Sequence, residues 1–199
     1  PTGMAIAMLN RAVGVIVPCA WNRDALIACG YKNPVFACPQ GVDPSVFRPR
    51  PKGNRDVFLF GAAGNSAGGS LGRKGLEQVI QGFTMAFPRD SKVVLMVKDH
   101  PGSPLECFDR RVKIVSEQWS EQQLAEWYSS LDVFLSMSRG EAWGRMVHEA
   151  MASGVPVVTP NHGGISEFFK SDCGWEIPWK YVPAENGWAG DWCQPIIED

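Results

Sequence analysis

The stretch SMSRGEAWGRMVHEAMASGVPVV, residues 136–158, decides the fold. An apolar run from Val133 to Ser136 ends where it begins, and a polar loop holding Glu141 follows. Helical spacing then runs from about Trp143 to Ser153, Gly154 stands where a helix commonly closes, and Val155 to Val158 is a second β-branched run. Strand, loop, helix and strand in so short a space make a βαβ unit, which belongs to a parallel sheet. Such sheets bind ligands beyond the carboxyl ends of their strands, where helices present their N-termini. Glu141 and the first helical turn, Trp143 to Met146, occupy that edge.

Outward from this unit the same alternation holds. Val13 to Val17, Val35 to Ala37, Val57 to Phe60, Val93 to Val97 and Val112 to Val115 read as further short strands, most of them buried on both faces. Leu76, Val79, Ile80, Phe83 and Phe87 recur at helical spacing until Pro88, and Leu124, Trp127, Tyr128 and Leu131 form a second stripe; both read as core. Arg48 to Asn54, rich in Pro, Gly and charge, reads as a linker. The strand, short helix and strand before it read as the tail of another domain. After Pro178, Trp, Pro and Gly accumulate without a period, and a helix is expected to begin at Ile196-Ile197. Opening at Pro1 without Met, the chain is expected to be a segment of something longer.

Composition narrows the function. A chain of 199 residues that is 45% hydrophobic can bury a proper core, and a net charge of −2 with both signs interspersed makes no field to gather nucleic acid. Cys19, Cys29, Cys38, Cys107, Cys173 and Cys193 show no C-x-x-C spacing and read as reduced thiols of a cytoplasmic protein. With His100, His148 and His162 also scattered, no zinc-ligand spacing emerges and no metal is expected. No apolar run approaches the ~18 residues of a membrane span, and no signal-peptide pattern opens the chain.

Three stretches could carry chemistry. The glycine-rich run Gly61 to Gly72, then Arg73-Lys74-Gly75 and a helix starting near Leu76, suits a phosphate through its N–H groups, the helix dipole and two cations. A flexible surface loop is the other reading, and neither G-x-G-x-x-G nor G-x-x-x-x-G-K-[ST] is present. Glu149 lies one turn into the helix among Met146, Val147, Ala150 and Met151. A ribose diol would satisfy its two oxygens; so would a structural ion pair. At Thr159 to Glu167 the strand-end geometry recurs, where Gly163 and Gly164 either admit a ligand to the backbone or form a tight turn with Ser166 as a cap.

Glu141 to Glu149 and the following AMASGVPVV closely resemble the E-x7-E motif and the A-M-A-x-G-x-P-V-V of retaining glycosyltransferases, in the group that includes glycogen and sucrose synthases. The likeness extends upstream through LAEWYSSLDVFL, residues 124–135, to PQGVD at 39–43 with FRP at 47–49, which is similar to the family's crossover between two Rossmann-like domains. Downstream, GGISE at 163–167 and CGWEIP at 173–178 also fit. The resemblance implies an α/β fold, a Rossmann-like parallel sheet with helices on both faces, as the C-terminal domain of a GT-B enzyme. It implies that residues 1–37 are the tail of the N-terminal acceptor-binding domain, 38–56 the interdomain crossover and linker, and 57–199 the donor-binding domain, cut short at its C-terminus.

The same resemblance distributes roles. Glu141 contacts hydroxyls of the donor sugar, Glu149 binds the ribose diol, and an Arg and Lys pair neutralises the diphosphate. Lys74, before Gly75, matches the Lys; Arg73 is expected to serve as the Arg, because Ala62 follows Gly61 where many members have Arg. Gly61, Gly144, Arg145, Met146, Gly163 and Gly164 complete the expected donor site, Ala142 stands where glycine is usual, and the base rests on the loop Ser116 to Trp119, although Trp119 also reads as core. The expected substrate is a UDP-, GDP- or ADP-sugar, without cofactor or metal. A glycan, lipid or small-molecule acceptor enters through the N-terminal half, in the cytoplasm or at the cytoplasmic face of a membrane. A nucleotide-sugar-binding module without transfer activity, suggested by Ala62 and Ala142, and a related GT-B epimerase or phosphorylase are the alternatives.

Overall fold

Strands joined by helices run parallel, because the chain needs a crossover to return to the same sheet edge. The computed structural model describes residues 3–66, 72–102, 105–183 and 191–196 and follows that rule in two sheets. First come α1 (Gly3–Leu9), β1 (Val15–Val17), α2 (Ala20–Ala28) and β2 (Val35–Ala37), with β1 and β2 paired in parallel as a small sheet of their own. Then follow β3 (Phe58–Ala63), α3 (Leu76–Ala86), β4 (Val93–Lys98), β5 (Val112–Val115), α4 (Glu121–Ser130), β6 (Val133–Leu135), α5 (Arg145–Ala152), β7 (Val157–Thr159), a 3-10 turn (Gly163–Glu167) and β8 (Gly174–Glu176). Their strands form a six-stranded parallel sheet in the order β5-β4-β3-β6-β7-β8. β9 (Trp179–Pro183) and β10 (Asp191–Pro195) pair antiparallel outside it.

Both faces of the large sheet are covered, which explains its uninterrupted apolar strands. On β4, Val93, Leu95 and Val97 share one core with Ala62, Val112, Leu76, Val79 and Phe83, while Met96 packs against the other. That second core joins Phe134 and Val157 of the sheet to Trp127, Tyr128 and Leu131, to Val147 and Ala150 of α5, and to Ile165 and Phe169. The two stripes read as core are the inner faces of α3 and α4.

The differences from expectation lie at strand edges and near the C-terminus. β3 runs through Gly61 and Ala62 to Ala63 because pairing with β4, from Phe58↔Val93 to Ala63↔Lys98, overrides their weak strand preference. β7 starts at Val157 because Pro156 has no N–H to offer the ladder. Beyond Pro178, where no period is visible, the chain forms the β9–β10 pair, and Pro195 ends it; of the helix expected at Ile196-Ile197, Ile197 lies outside the described residues.

The stretch read as a linker is tied down. Phe47 is buried in the second core, edge-on to Tyr128. Arg50 Nη1 donates to Ser129 Oγ at 3.2 Å. Lys52 and Arg55 both pair with Asp132, just before β6, and Asp132 also accepts the Leu59 N–H at 2.8 Å.

Candidate functional site

The sheet order reverses between β3 and β6: the chain builds outward through β4 to β5 on one side and through β7 to β8 on the other. Beyond the carboxyl ends of the strands at such a switch point lies the crevice where open α/β sheets bind ligands. The loops leaving β3 and β6 carry Arg73-Lys74 and Glu141 respectively.

A glycine brings these loops together. Gly75, the N-cap of α3, has φ 65°, and a Cβ there would lie 2.1 Å from the Met137 carbonyl oxygen. Across this contact the Arg139 N–H donates to Arg73 O at 2.8 Å, and Arg73 Nη1 donates to Gly140 O at 2.8 Å. Lys74 Nζ reaches Glu141 Oε1 at 2.5 Å, and Ser138 Oγ donates to the same oxygen at 2.8 Å. With side chains only 12% and 14% exposed, Lys74 and Glu141 form a pair that salt screens far less than a surface one.

Glu149 is buried at 6% exposure, so it is not a solvated helix residue. Its carboxylate accepts from the Tyr128 hydroxyl at 3.3 Å and from Arg145 Nη2 at 3.3 Å, both at the long end for a hydrogen bond. Burial raises its pKa above the ordinary glutamate value, against the opposing pull of Arg145 and Tyr128. Burial, then the adjacent carboxylate, holds Tyr128 well above the usual phenol range, so it stays a donor. Glu149 and His148 line a recess of about 70 Å³ with Gly41, Val42 and Asp43 of the crossover. His148 Nδ1 accepts from Trp143 Nε1 at 3.1 Å, and burial lowers its pKa, which favours the neutral ring.

The expected glycines separate into two groups. Gly144 caps α5 with φ 94°, where a Cβ would meet Ile165 Cγ1 at 2.6 Å; beyond it Arg145 and Met146 start the helix with N–H groups that no carbonyl in the helix can satisfy. A Cβ on Gly163 would lie 2.7 Å from Glu141 O and one on Gly164 2.2 Å from Ala142 O, and the Gly164 N–H donates to Glu141 O at 2.9 Å. Their close approach is thus to the Glu141 loop itself. Ser166 does not cap the turn, which His162 precedes; its hydroxyl donates to Gly163 O at 2.7 Å from within it. Gly61 stands apart from the loops, inside β3, facing Leu131, whose Cδ1 lies 2.2 Å from where a Cβ would be. Of the glycine-rich run, residues 67–71 lie outside the described residues.

Beside the crevice, at the ends of β3, β4 and β5, lies a cavity of about 200 Å³ lined by Gly64, Lys98, Asp99, His100, Trp119 and Tyr128, among others. Trp119 serves both readings, since it lines this cavity and also packs edge-on against Trp127 in the core. Lys98-Asp99 and Tyr128 were not singled out from sequence. For Lys98-Asp99 the signal was there, two charges that close the apolar run of β4; Tyr128 reads only as core. A larger hollow of about 490 Å³ lies at the opposite sheet edge, before β7 and β8, lined by Gly154 to Pro156 and Ser171 to Trp175. It contains none of the expected site residues.

The N-terminal segment docks on the same loops. The Ala20 N–H donates to Glu167 Oε1 at 2.7 Å, and Asn22 Nδ2 approaches Ala142 O at 3.5 Å. Trp21 meets His162 at 5.3 Å between ring centroids, and His162 in turn meets Trp179 at 4.6 Å.

A parallel sheet covered on both faces, with its polar loops gathered at the switch point, defines a Rossmann-like α/β protein, and solved structures share that fold. Sucrose-phosphate synthase from Thermosynechococcus elongatus matches with a TM-score of 0.72 at 21% identity, covering 87% of this chain and 47% of that one. Anabaena HepE in complex with UDP-glucose matches with a TM-score of 0.70 at 19% identity, covering 87% and 52%. A family model described as glycosyl transferases group 1 matches residues 67–185, and the chain belongs to that family. A GDP-mannose-dependent alpha-mannosyltransferase of Corynebacterium glutamicum is 28% identical over 159 residues, 78% of this chain and 38% of the relative. The chain thus spans little more than a third of that relative's length. No helix among the described residues is long and apolar enough to cross a membrane.

Proposed function

We propose that this chain is the donor-binding part of a retaining glycosyltransferase, which moves a sugar from a nucleoside diphosphate to an acceptor held by a separate N-terminal half. The observation that carries it is the meeting of Arg73, Lys74 and Glu141 at the switch-point crevice, beside the start of α5 and the buried Glu149. Residues 57–199 form the donor domain in this reading, 38–56 the crossover and 1–37 the tail of the acceptor domain. The GDP-mannose on which the Corynebacterium glutamicum relative depends and the UDP-glucose in complex with HepE support a nucleotide sugar as the class of substrate.

The chemistry follows from charge. As the bond from the anomeric carbon to the diphosphate oxygen breaks, its electron pair stays with the diphosphate. Lys74, Arg73 and the N–H groups of Arg145 and Met146 stabilise that growing charge more than they stabilise the ground state, in place of a divalent metal. Glu141 accepts hydrogen bonds from sugar hydroxyls and orients the ring. Lys74 and Glu141 neutralise each other as a pair; the donor's diphosphate and hydroxyls replace each as the other's partner. Glu149 accepts the ribose diol, and its long contacts leave acceptor capacity for it.

The test is a transfer assay with a panel of nucleotide sugars, on protein carrying this chain together with its acceptor-binding half. Lys74→Ala is expected to lower kcat about 100-fold or more with a small change in KM. Unchanged kcat in that variant would remove Lys74 from the reaction. Donor binding without transfer or hydrolysis would instead favour the binding module.

A further inference from the structure

We propose that Lys98 selects the nucleobase, and that the donor carries a keto base, guanine or uracil, in preference to adenine or cytosine. This rests on the nucleotide-sugar reading above and narrows it.

The cavity of about 200 Å³ beside the crevice has two charged residues in its lining, Lys98 and Asp99. Asp99 is turned into the protein and fully buried. Its Oδ1 accepts the Ser66 N–H at 2.9 Å and the His100 N–H at 2.7 Å, and its Oδ2 accepts the Ser66 hydroxyl at 2.5 Å. Its carboxylate holds the start of the glycine-rich loop to the end of β4. Lys98 is placed differently. Its Nζ donates to Asp99 O at 2.6 Å and stands 5.2 Å from the ring centroid of Trp119, which is itself a wall of the cavity. An ammonium carries three donors and no acceptor, so one bond to Asp99 O leaves two.

The charged group offered to a base here is therefore a donor. Guanine presents O6 and N7 as adjacent acceptors and uracil presents O4, whereas adenine and cytosine place an amino group at the corresponding position. An amino group facing the ammonium sets donor against donor and leaves the ammonium without its acceptor.

Isothermal titration of GDP, UDP, IDP, ADP and CDP into the wild-type chain and into Lys98→Met tests this. The better of GDP and UDP should bind about tenfold or more tighter than ADP and CDP. If guanine is the base, IDP, which keeps O6 and N7, should follow GDP within a few fold. Lys98→Met should bring the keto and amino nucleotides to within a few fold of each other, by weakening the keto one. Lys98→Gln, whose amide can serve either edge, should do the same if the methionine variant does not fold. ADP or CDP binding as tightly as the better keto nucleotide overturns the proposal, as does equal weakening of all five by Lys98→Met. So does IDP as weak as ADP beside a tight GDP. Each of these leaves the nucleotide site standing. Binding of none of the five to folded wild-type protein overturns the site reading together with the base preference.

Discussion

Glu149 carries a cost in the fold and, in the proposed site, a use. Its raised pKa means that the folded state disfavours the charged carboxylate. The stability it contributes is therefore fully present below the ordinary glutamate pKa and is lost as pH rises through the raised native value. Glu149→Gln removes that loss. The variant should melt at a higher temperature than wild type at pH 7, with the difference closing near pH 4, while its affinity for a nucleoside diphosphate falls about tenfold or more. Thermal melts at the two pH values and one titration check both halves; a lower melting temperature at pH 7 would contradict the burial argument. The sequence marked Glu149 as a carboxylate on a mostly apolar face but left its partner open. Tyr128 was hidden because a tyrosine on an apolar stripe looks like any core aromatic until the hydroxyl is located.

At the scale of elements, helix and strand order was legible because the apolar period follows from each element's geometry, and both faces of the sheet are covered. The contacts between loops were less so, since they depend on backbones meeting across the crevice. Gly75 and Gly61 illustrate the difference. Gly75→Ala puts a side chain into a left-handed conformation costing about 1–3 kcal/mol, and into the Met137 carbonyl besides. Because that contact sets Lys74 against Glu141, nucleotide affinity should fall with stability. In Gly61→Ala, inside β3, the atoms nearest the added Cβ are those of the Leu131 side chain. The substitution should cost about 1–3 kcal/mol by overpacking and leave the affinity of the folded protein within about threefold of wild type. Urea unfolding and titration of both variants separate them; a large loss of affinity in Gly61→Ala would return that glycine to the binding site.

For the molecule as a whole, the segment read as a linker from its Pro, Gly and charge is a strap across the amino ends of β3 and β6. Composition could not reveal this, because the anchor, Asp132, lies far along the chain. Asp132→Ala leaves Lys52, Arg55 and the Leu59 N–H without their shared acceptor, and should cost about 1–3 kcal/mol without changing nucleotide affinity. The strap grips one edge of the sheet while the crevice proposed for the nucleotide opens at the other, and this separation is testable directly. A crystal structure of the chain with its best-binding nucleoside diphosphate should show the diphosphate between Lys74 and the start of α5, the ribose against Glu149 and the base beside Lys98. Nucleotide bound in the hollow before β7 and β8, by Asp172 and Trp175, with the switch-point crevice beside Lys74 and Glu141 empty, would contradict the account.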